Sequence, residues 1–179
     1  IGEIPADWGT RKIKYDFRVI NGSTPKSNEE KYWNGNIVWI TPSEMGGNER
    51  IFHSTKTITD EGLHSCGTTI VSKNTLILST RAPIGKINIA GVDLCTNQGC
   101  KSLVCKGTVY YKYTYYYLLT QIETLNMLGR GTTFFELSTF DLHNFVECIP
   151  TYNEQQRIAA YLDARCAKID TLISQEQVV

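Results

Sequence analysis

The C-terminal part of the chain, residues 151 to 177, has the pattern of a long amphipathic helix. Asn153 and Gln156 are spaced like the two residues of a capping box, and Glu154 suits the positive end of a helix dipole. Apolar side chains then recur at intervals of three and four residues, which places them on one helix face. This stripe consists of Ile158, Leu162, Cys166, Ile169 and Ile173. A polar rod with one apolar stripe needs a partner surface.

Two kinds of partner fit the stripe. The helix can fold back on its own domain, or it can project and pair with a second helix. In the second case we expect the large aliphatic members of the stripe to make the contact. These pairing candidates are Ile158, Leu162, Ile169 and Ile173.

The length and composition of the chain allow one well-packed domain with an appendage. At 179 residues and 41% hydrophobic content, it can bury a single core but hardly two. We therefore expect one domain over residues 1–150 and a helical extension over 151–179. The apolar stretches are short and interrupted by charge, and no basic-then-apolar leader opens the chain. These features predict a cytoplasmic protein without a membrane span.

The six cysteines do not form a recognisable metal or disulfide framework. No two of them stand in a CxxC pair, and the three histidines are not at ligand spacing near them. Reduced, buried thiols are therefore the expected state. We expect neither a metal nor a cofactor.

The formal net charge is zero, but the charges are unevenly distributed. Residues 71 to 112 hold six basic side chains against the single acid Asp93. From Glu136 onward the sign reverses, with seven acids against three basic residues. Ordinary solvated charge is one explanation. The other is a basic middle that faces phosphate and an acidic end that faces a protein partner.

The middle of the chain is rich in short strand-like runs bounded by turn residues. The predicted strands cover 37–41, 68–71, 75–79, 86–90, 101–105 and 145–149. Residues 43 to 62 are polar and aperiodic, which indicates a long exposed loop with a short helix near 59–63. Helical spacing predicts a helix over 111–125, with Gly129 as its C-terminal cap, and a shorter helix that begins at Ser138. The expected fold class is α+β, a sheet-rich domain with packed helices.

Several phrases spread over nearly the whole chain carry a family resemblance. They read IPADW at 4–8, GSTP at 22–25, WITP at 39–42, KNTLILSTRAPIG at 73–85, TNQGCKSL at 96–103 and GTTFFELS at 131–138. The terminal helix adds NEQQRIA at 153–159, YLD at 161–163 and AKIDTLI at 167–173. In this order they resemble the specificity subunits of type I restriction-modification enzymes.

That resemblance implies a fold, a function and partners. It implies a target recognition domain that binds one half of a bipartite sequence in double-stranded DNA, followed by the start of a coiled-coil spacer helix. It also implies methyltransferase (modification) subunits as partners, with a motor-nuclease (restriction) subunit in the full complex. The helix would pair with the second half of the specificity subunit. If the chain is instead a natural half-subunit, it would pair with a second copy and read a palindromic site.

The candidate DNA contacts follow from side-chain chemistry at these phrases. Arg81 lies between a strand and a proline-stiffened turn, where its guanidinium can be held toward phosphate or a guanine edge. The lysines offer phosphate attraction, the 129–133 loop offers a cation with two hydroxyls, and the loop from 43 to 62 offers mixed donors and acceptors. The candidates are Lys26, Ser43, Glu44, Lys56, Arg81, Lys86, Lys101, Arg130, Thr132 and Thr133. Asn97 and Gln98 can read adenine, but in a Thr-Asn-Gln-Gly turn we favour a role in holding the loop.

Two other classes of function remain open at the level of sequence. The chain could be a small enzyme acting on nucleic acid, or an oligomerisation adaptor whose basic middle is incidental. Against the first, the sequence has no GxGxxG after a strand, no glycine-rich phosphate loop, no His-Glu metal helix and no GxSxG elbow. We therefore expect no catalytic residues, and any methylation or cleavage belongs to other subunits.

Overall fold

The computed structural model describes residues 3–131 and 135–176. Within these ranges the chain forms ten strands and six α-helices. The strands are β1 (Gly9–Lys12), β2 (Phe17–Asn21), β3 (Trp33–Ile40), β4 (Arg50–Ile51), β5 (Thr57–Ile58), β6 (Leu76–Ser79), β7 (Ile87–Ala90), β8 (Leu94–Thr96), β9 (Cys100–Cys105) and β10 (Val146–Ile149). The helices are α1 (Ile13–Asp16), α2 (Asp60–Ser65), α3 (Tyr111–Thr120), α4 (Ile122–Met127), α5 (Thr139–Asn144) and α6 (Tyr152–Glu176).

The strands form a central sheet with two smaller ones beside it. The central sheet has the order β2-β9-β6-β7-β4, and it is antiparallel except where β4 pairs with β7. A three-stranded sheet has the order β5-β3-β8, with β3 and β8 parallel. A two-stranded antiparallel ribbon joins β1 to β10 near the two ends of the domain. These mixed sheets with packed helices confirm the predicted α+β class.

The central sheet is buried on both faces, which explains why β6 reads as a continuous apolar run. Leu76 and Leu78 belong to a core shared with Leu118 of α3 and Leu125 of α4. Ile77, between them, points the other way, because side chains alternate across a strand. It joins a second core that includes Ile40 and Leu94 of the three-stranded sheet, and Met45 of the loop that follows β3.

Several sequence predictions need correction. The strand predicted over 68–71 is reduced to one bridge between Val71 and Leu94, and the loop predicted over 43–62 contains β4 and β5. The helix predicted over 111–125 is divided at Gln121, whose backbone (φ −107°, ψ 12°) leaves helical geometry. The short helix expected near 59–63 is confirmed as α2, with the Thr59 hydroxyl accepting the Gly62 N–H at 3.0 Å. The cysteines are free as expected, but only three of the six are buried, since Cys66 and Cys105 are half-buried and Cys166 is exposed.

Helix α6 packs on the domain at its start and then leaves it. The predicted capping box is wrong by two residues: α6 begins at Tyr152, and the Thr151 hydroxyl accepts the Glu154 N–H at 3.4 Å. Gln155 and Ala159 are buried, whereas every residue from 164 to 175 is exposed. The helix therefore folds back over its first turns and projects beyond them. Among the described residues, no helix combines the length and apolar composition needed to cross a bilayer.

Candidate nucleic-acid interface

The loop after β3 encloses a hollow of about 640 Å³, which we call the loop hollow. Residues between Ser43 and Thr55, together with Asn88, line it. Asn88 is 1% exposed and holds the loop from below. Its side chain accepts the Gly46 N–H at 3.0 Å and donates to the Asn48 carbonyl. The backbone of this loop is thus fixed to β7 of the central sheet.

The rim of the loop hollow presents varied chemistry to solvent. Ser43, Asn48 and His53 are exposed, and Phe52 is 53% exposed. Arg50 is half-buried, with its guanidinium donating to the Asn74 side chain at 3.0 Å and to the Tyr111 hydroxyl at 3.1 Å. Hydroxyl, amide, imidazole and aromatic groups on a fixed backbone are what discrimination between base edges requires.

Glu44, predicted as a DNA contact, accepts hydrogen bonds from the backbone of its own loop. Its carboxylate accepts the Thr41 N–H at 3.0 Å and the Thr55 N–H at 2.6 Å, and so ties the two ends of the loop together. It completes a capping box on the 3-10 turn Pro42–Glu44. A carboxylate that accepts two backbone donors is engaged in holding the loop. We therefore assign Glu44 to the loop scaffold.

A second hollow, of about 480 Å³, lies where Arg81, Lys101, Arg130 and Glu136 meet; we call it the ion-pair hollow. Arg81 Nε lies 2.9 Å from one oxygen of Glu136, and Lys101 Nζ lies 3.2 Å from the other. Arg130 exchanges two backbone hydrogen bonds with Glu136. Burial acts to raise the pKa of Glu136, but the hydrogen bonds from Arg81 and Lys101 outweigh it, so the pKa lies below its usual value.

The two predicted cations of the ion-pair hollow, Lys101 and Arg130, differ in their access to solvent. Lys101 is 4% exposed and bound to Glu136, so its ammonium group cannot reach a phosphate without leaving that partner. Arg130 is 78% exposed and makes one long contact of 3.4 Å with Asp141, so its charge is open to solvent. Thr132 and Thr133 lie outside the described residues.

A third hollow, of about 320 Å³, lies between two tryptophans and Lys56; we call it the tryptophan hollow. The rings of Trp33 and Trp39 meet edge to face at 5.2 Å, and Lys56 Nζ lies 5.6 Å from the Trp33 ring. Both indole N–H groups are satisfied, by the carbonyls of Lys26 and Ser23. Lys56 lines this hollow and is exposed, and exposed Lys26 precedes Ser27, another lining residue.

The three hollows adjoin around Pro42 and the Asn97–Gly99 turn. Lys86 Nζ donates to the Pro42 carbonyl at 3.2 Å at the edge of the loop hollow. Gly99 packs so closely on Pro42 that a Cβ would lie 2.8 Å from its ring. Exposed Gln98 lines the ion-pair hollow and accepts from Thr24 of the tryptophan hollow. We call the three hollows and these linking residues together the polar face. It brings together the described members of the predicted set.

Sequence reasoning missed part of this face. It did not find the pairing of Trp33 with Trp39, although both lie on one strand, nor the role of Glu136, which neutralises two cations far from it in sequence. It did interpret Asn97 correctly, since its side chain accepts the Gly99 N–H at 2.9 Å and holds the turn. Among residues 3–131 and 135–176, no group of three or more His, Cys, Asp or Glu side chains is placed to hold a metal ion.

Comparison with known proteins identifies the family of this fold. The family model described as "Type I restriction modification DNA specificity domain" matches residues 5–178. The MjaIX specificity subunit of Methanocaldococcus jannaschii is 39% identical over 166 residues, which cover 90% of this chain and 38% of that subunit. The EcoR124I/EcoR124II specificity subunit of Escherichia coli is 28% identical over 158 residues, which cover 84% of this chain and 38% of that subunit. The chain thus spans about two fifths of the length of these relatives.

A solved structure shows the same fold. The crystal structure of the HsdS subunit from Thermoanaerobacter tengcongensis superposes with a TM-score of 0.77 at 21% identity, covering 97% of this chain and 41% of that one. At this identity the structural similarity is evidence for the fold alone, and the match to the family model is the evidence for family membership. The chain belongs to the family of type I restriction-modification DNA specificity domains.

Proposed function

We propose that this chain is a non-catalytic DNA-recognition module that reads one half of a bipartite DNA site through its polar face. The observation that carries the proposal is the convergence of the three hollows around Pro42 and the Asn97–Gly99 turn. Motifs far apart in sequence meet there, and membership of a family of DNA specificity domains supports DNA as the ligand that we propose for this surface.

The polar face divides into two chemical zones. The exposed rim of the loop hollow carries hydrogen-bond donors and acceptors and an aromatic ring on a rigid backbone, which suits contact with base edges. The other zone consists of the exposed cations Lys26, Lys56 and Arg130 and half-buried Lys86. Such cations attract the phosphate backbone of any sequence and set the register of the protein on the duplex. Thr132 and Thr133 remain part of the proposal as phosphate contacts beside Arg130.

The partners are part of the same proposal. Family relatives are specificity subunits of type I restriction enzymes, and we infer that this module hands its DNA to methyltransferase subunits, with a motor-nuclease subunit in the restricting form. The projecting half of α6 would pair with a helix from the second half of the subunit or from a second copy. A module acting on chromosomal DNA with these partners would work in the cytoplasm. Under this proposal residues 1–150 form the recognition domain and 151–179 the start of the spacer.

The experiment is a DNA-binding titration of the complete specificity subunit, assembled with its methyltransferase subunits. The duplex carries the sequence found methylated in the source genome, and a scrambled duplex is the reference. We expect tighter binding to the first, and binding to both that weakens steeply with salt. Equal affinity for the two duplexes, or affinity independent of salt, would contradict the proposal.

A further inference from the structure

Asp163 is the last residue of α6 that is anchored in the domain. Its carboxylate accepts the Tyr116 hydroxyl at 2.6 Å and lies 2.8 Å from Lys112 Nζ, and both partners belong to α3. Two turns earlier, Gln155 accepts the Tyr110 N–H at 2.7 Å. From residue 164 to residue 175 every side chain is exposed. The direction in which α6 leaves the domain is therefore set at Asp163.

Lys112 joins this exit point to the loop hollow. Its ammonium group lies 2.8 Å from Asp163 and 3.3 Å from an oxygen of Glu49, which lines that hollow. The Lys112 side chain is only 15% exposed. Its burial acts to lower the pKa, but the hydrogen bond to Asp163 and the charge of Glu49 outweigh this effect, so the pKa lies above its usual value. Lys112 thus contacts both carboxylates at once.

Glu49 in turn lies in the loop that lines the loop hollow, where we propose that bases are read. Its backbone carbonyl accepts the Ile89 N–H at 2.8 Å, at the edge of the central sheet. Its carboxylate lies 3.6 Å from Arg50 Nε, and the same guanidinium contacts Asn74 and Tyr111. A continuous set of charged contacts thus runs from Arg50 through Glu49 and Lys112 to Asp163.

We propose that Lys112 is a positioning residue that fixes the orientation of the projecting part of α6 relative to the loop hollow, so that DNA bound at the hollow and the helix bias each other. Two carboxylates from separate elements share one partly buried cation, so a shift in one changes the electrostatic environment of the other. The inference rests on the proposed function, because it names the residue through which DNA reading acts on the helix.

The test is a mutational cycle read by affinity for the methylated-site duplex, in the complete specificity subunit assembled with its methyltransferase subunits. Glu49→Gln and Asp163→Asn are made singly and together, first with Lys112 present and then in a Lys112→Met background. With Lys112, the loss in the double variant should differ from the product of the single losses by about fivefold or more. Without Lys112, the losses should multiply to within about twofold. Lys112→Arg should restore the coupling.

A second readout and a control separate positioning from general stabilisation. Hydrogen exchange without DNA should become faster at residues 49–51 and 163–166 together in Lys112→Met, or in Lys112→Gln if the methionine variant folds poorly. Lys106→Met removes an exposed lysine from the far end of β9 and should change neither region. A Lys112→Met protein that loses affinity equally for methylated-site and scrambled duplexes, with the Glu49–Asp163 coupling intact, would overturn the inference. Failure of the wild-type complex to distinguish the two duplexes would instead count against the proposed function, and the exchange result would still decide the role of Lys112.

Discussion

At the scale of single residues, half-buried Glu136 and fully buried Glu147 behave in opposite ways. Glu136 accepts hydrogen bonds from Arg81 and Lys101. These hydrogen bonds outweigh the effect of burial, so the pKa of Glu136 lies below its usual value. Glu147 is fully buried in β10, and among the described residues its oxygens make no hydrogen bond of good geometry, although the Thr114 hydroxyl is close enough to lower its pKa in part. Burial, reinforced by the nearby Asp16, raises the pKa of Glu147 to about 8. One carboxylate thus stabilises the fold when charged, and the other when protonated.

Replacement of Glu136 tests its role as a structural counter-ion. Glu136→Gln leaves the Lys101 ammonium buried without a charged partner, so we expect a loss of about 1–3 kcal/mol in the free energy of unfolding at neutral pH. Because the pKa of Glu136 is lowered, its contribution is present above the usual pKa and is lost as pH falls through the folded-state value. The gap between variant and wild type should therefore shrink in acid. Urea unfolding measures it, with exposed Glu123→Gln as the control. A variant as stable as wild type would show that the ion pairs contribute nothing.

Replacement of Glu147 should stabilise the protein at high pH, whereas replacement of Glu136 should destabilise it. A folded-state pKa raised from 4.5 to about 8 means that wild type loses stability as pH rises through this window. Glu147→Gln removes that dependence. We expect the stability of the variant to rise relative to that of wild type from about pH 4.5 upward, so that the variant is the more stable protein by pH 8. Thermal unfolding across this range decides the matter, again with Glu123→Gln for comparison. Parallel stability curves for Glu147→Gln and wild type would refute the assigned pKa.

At the scale of elements, α6 combines an anchored half and an exposed half. Along the exposed half, Ile169 is 54% exposed, Leu172 53% and Ile173 49%. Nearer the domain, Ile158 and Leu162 are only half-buried. An isolated helix of this length gains little stability from propensity alone, so the exposed stripe needs a partner to be stable. Each large side chain that becomes fully buried contributes roughly 1.5–3 kcal/mol.

Charged substitutions on the stripe test whether it pairs. We expect the chain to self-associate, at least weakly, through α6. Leu162→Asp with Ile169→Asp should abolish this association and leave the globular part folded. Ala164→Asp with Ala167→Asp, on another face of the same helix, carries the same added charge and should leave it intact. Sedimentation measures association and circular dichroism monitors the fold. A wild-type chain that stays monomeric at high concentration would argue against helix pairing.

Substitutions of half-buried Lys86 and exposed Arg130 test the cations of the polar face that we propose attract phosphate. Lys86→Ala and Arg130→Ala should each weaken binding to all duplexes to a similar extent and lower the salt slope by about one. Lys106→Ala is the matched control, because Lys106 follows the opposite end of β9 from Gln98. Unchanged affinity and slope in the Lys86→Ala, Arg130→Ala double variant would remove these residues from the interface.

At the scale of the whole molecule, the sequence predicted elements with strong local patterns and missed those that depend on pairing. The apolar run of β6 and the apolar stripe of α6 can each be recognised from the local sequence alone. β1 has four exposed residues and β8 only three in all, so each becomes a strand only because a distant partner lies beside it. The same limit applies to the candidate site: a charge count cannot show that Glu136 neutralises Lys101, or that the Glu44 carboxylate turns inward to hold its own loop.

The central claim is that the loop hollow of the polar face selects the bases, and a loop graft tests it most directly. Residues 43–55 are replaced by the equivalent segment of a family relative, with Thr41, Glu44 and Asn88 kept so that the scaffold contacts remain. The variant subunit is assembled with its methyltransferase subunits, and the methylated sites are mapped across a genome. We predict an altered half-site on one side of the bipartite sequence and an unchanged one on the other. An unaltered half-site, written by a graft that folds and methylates normally, would contradict the account.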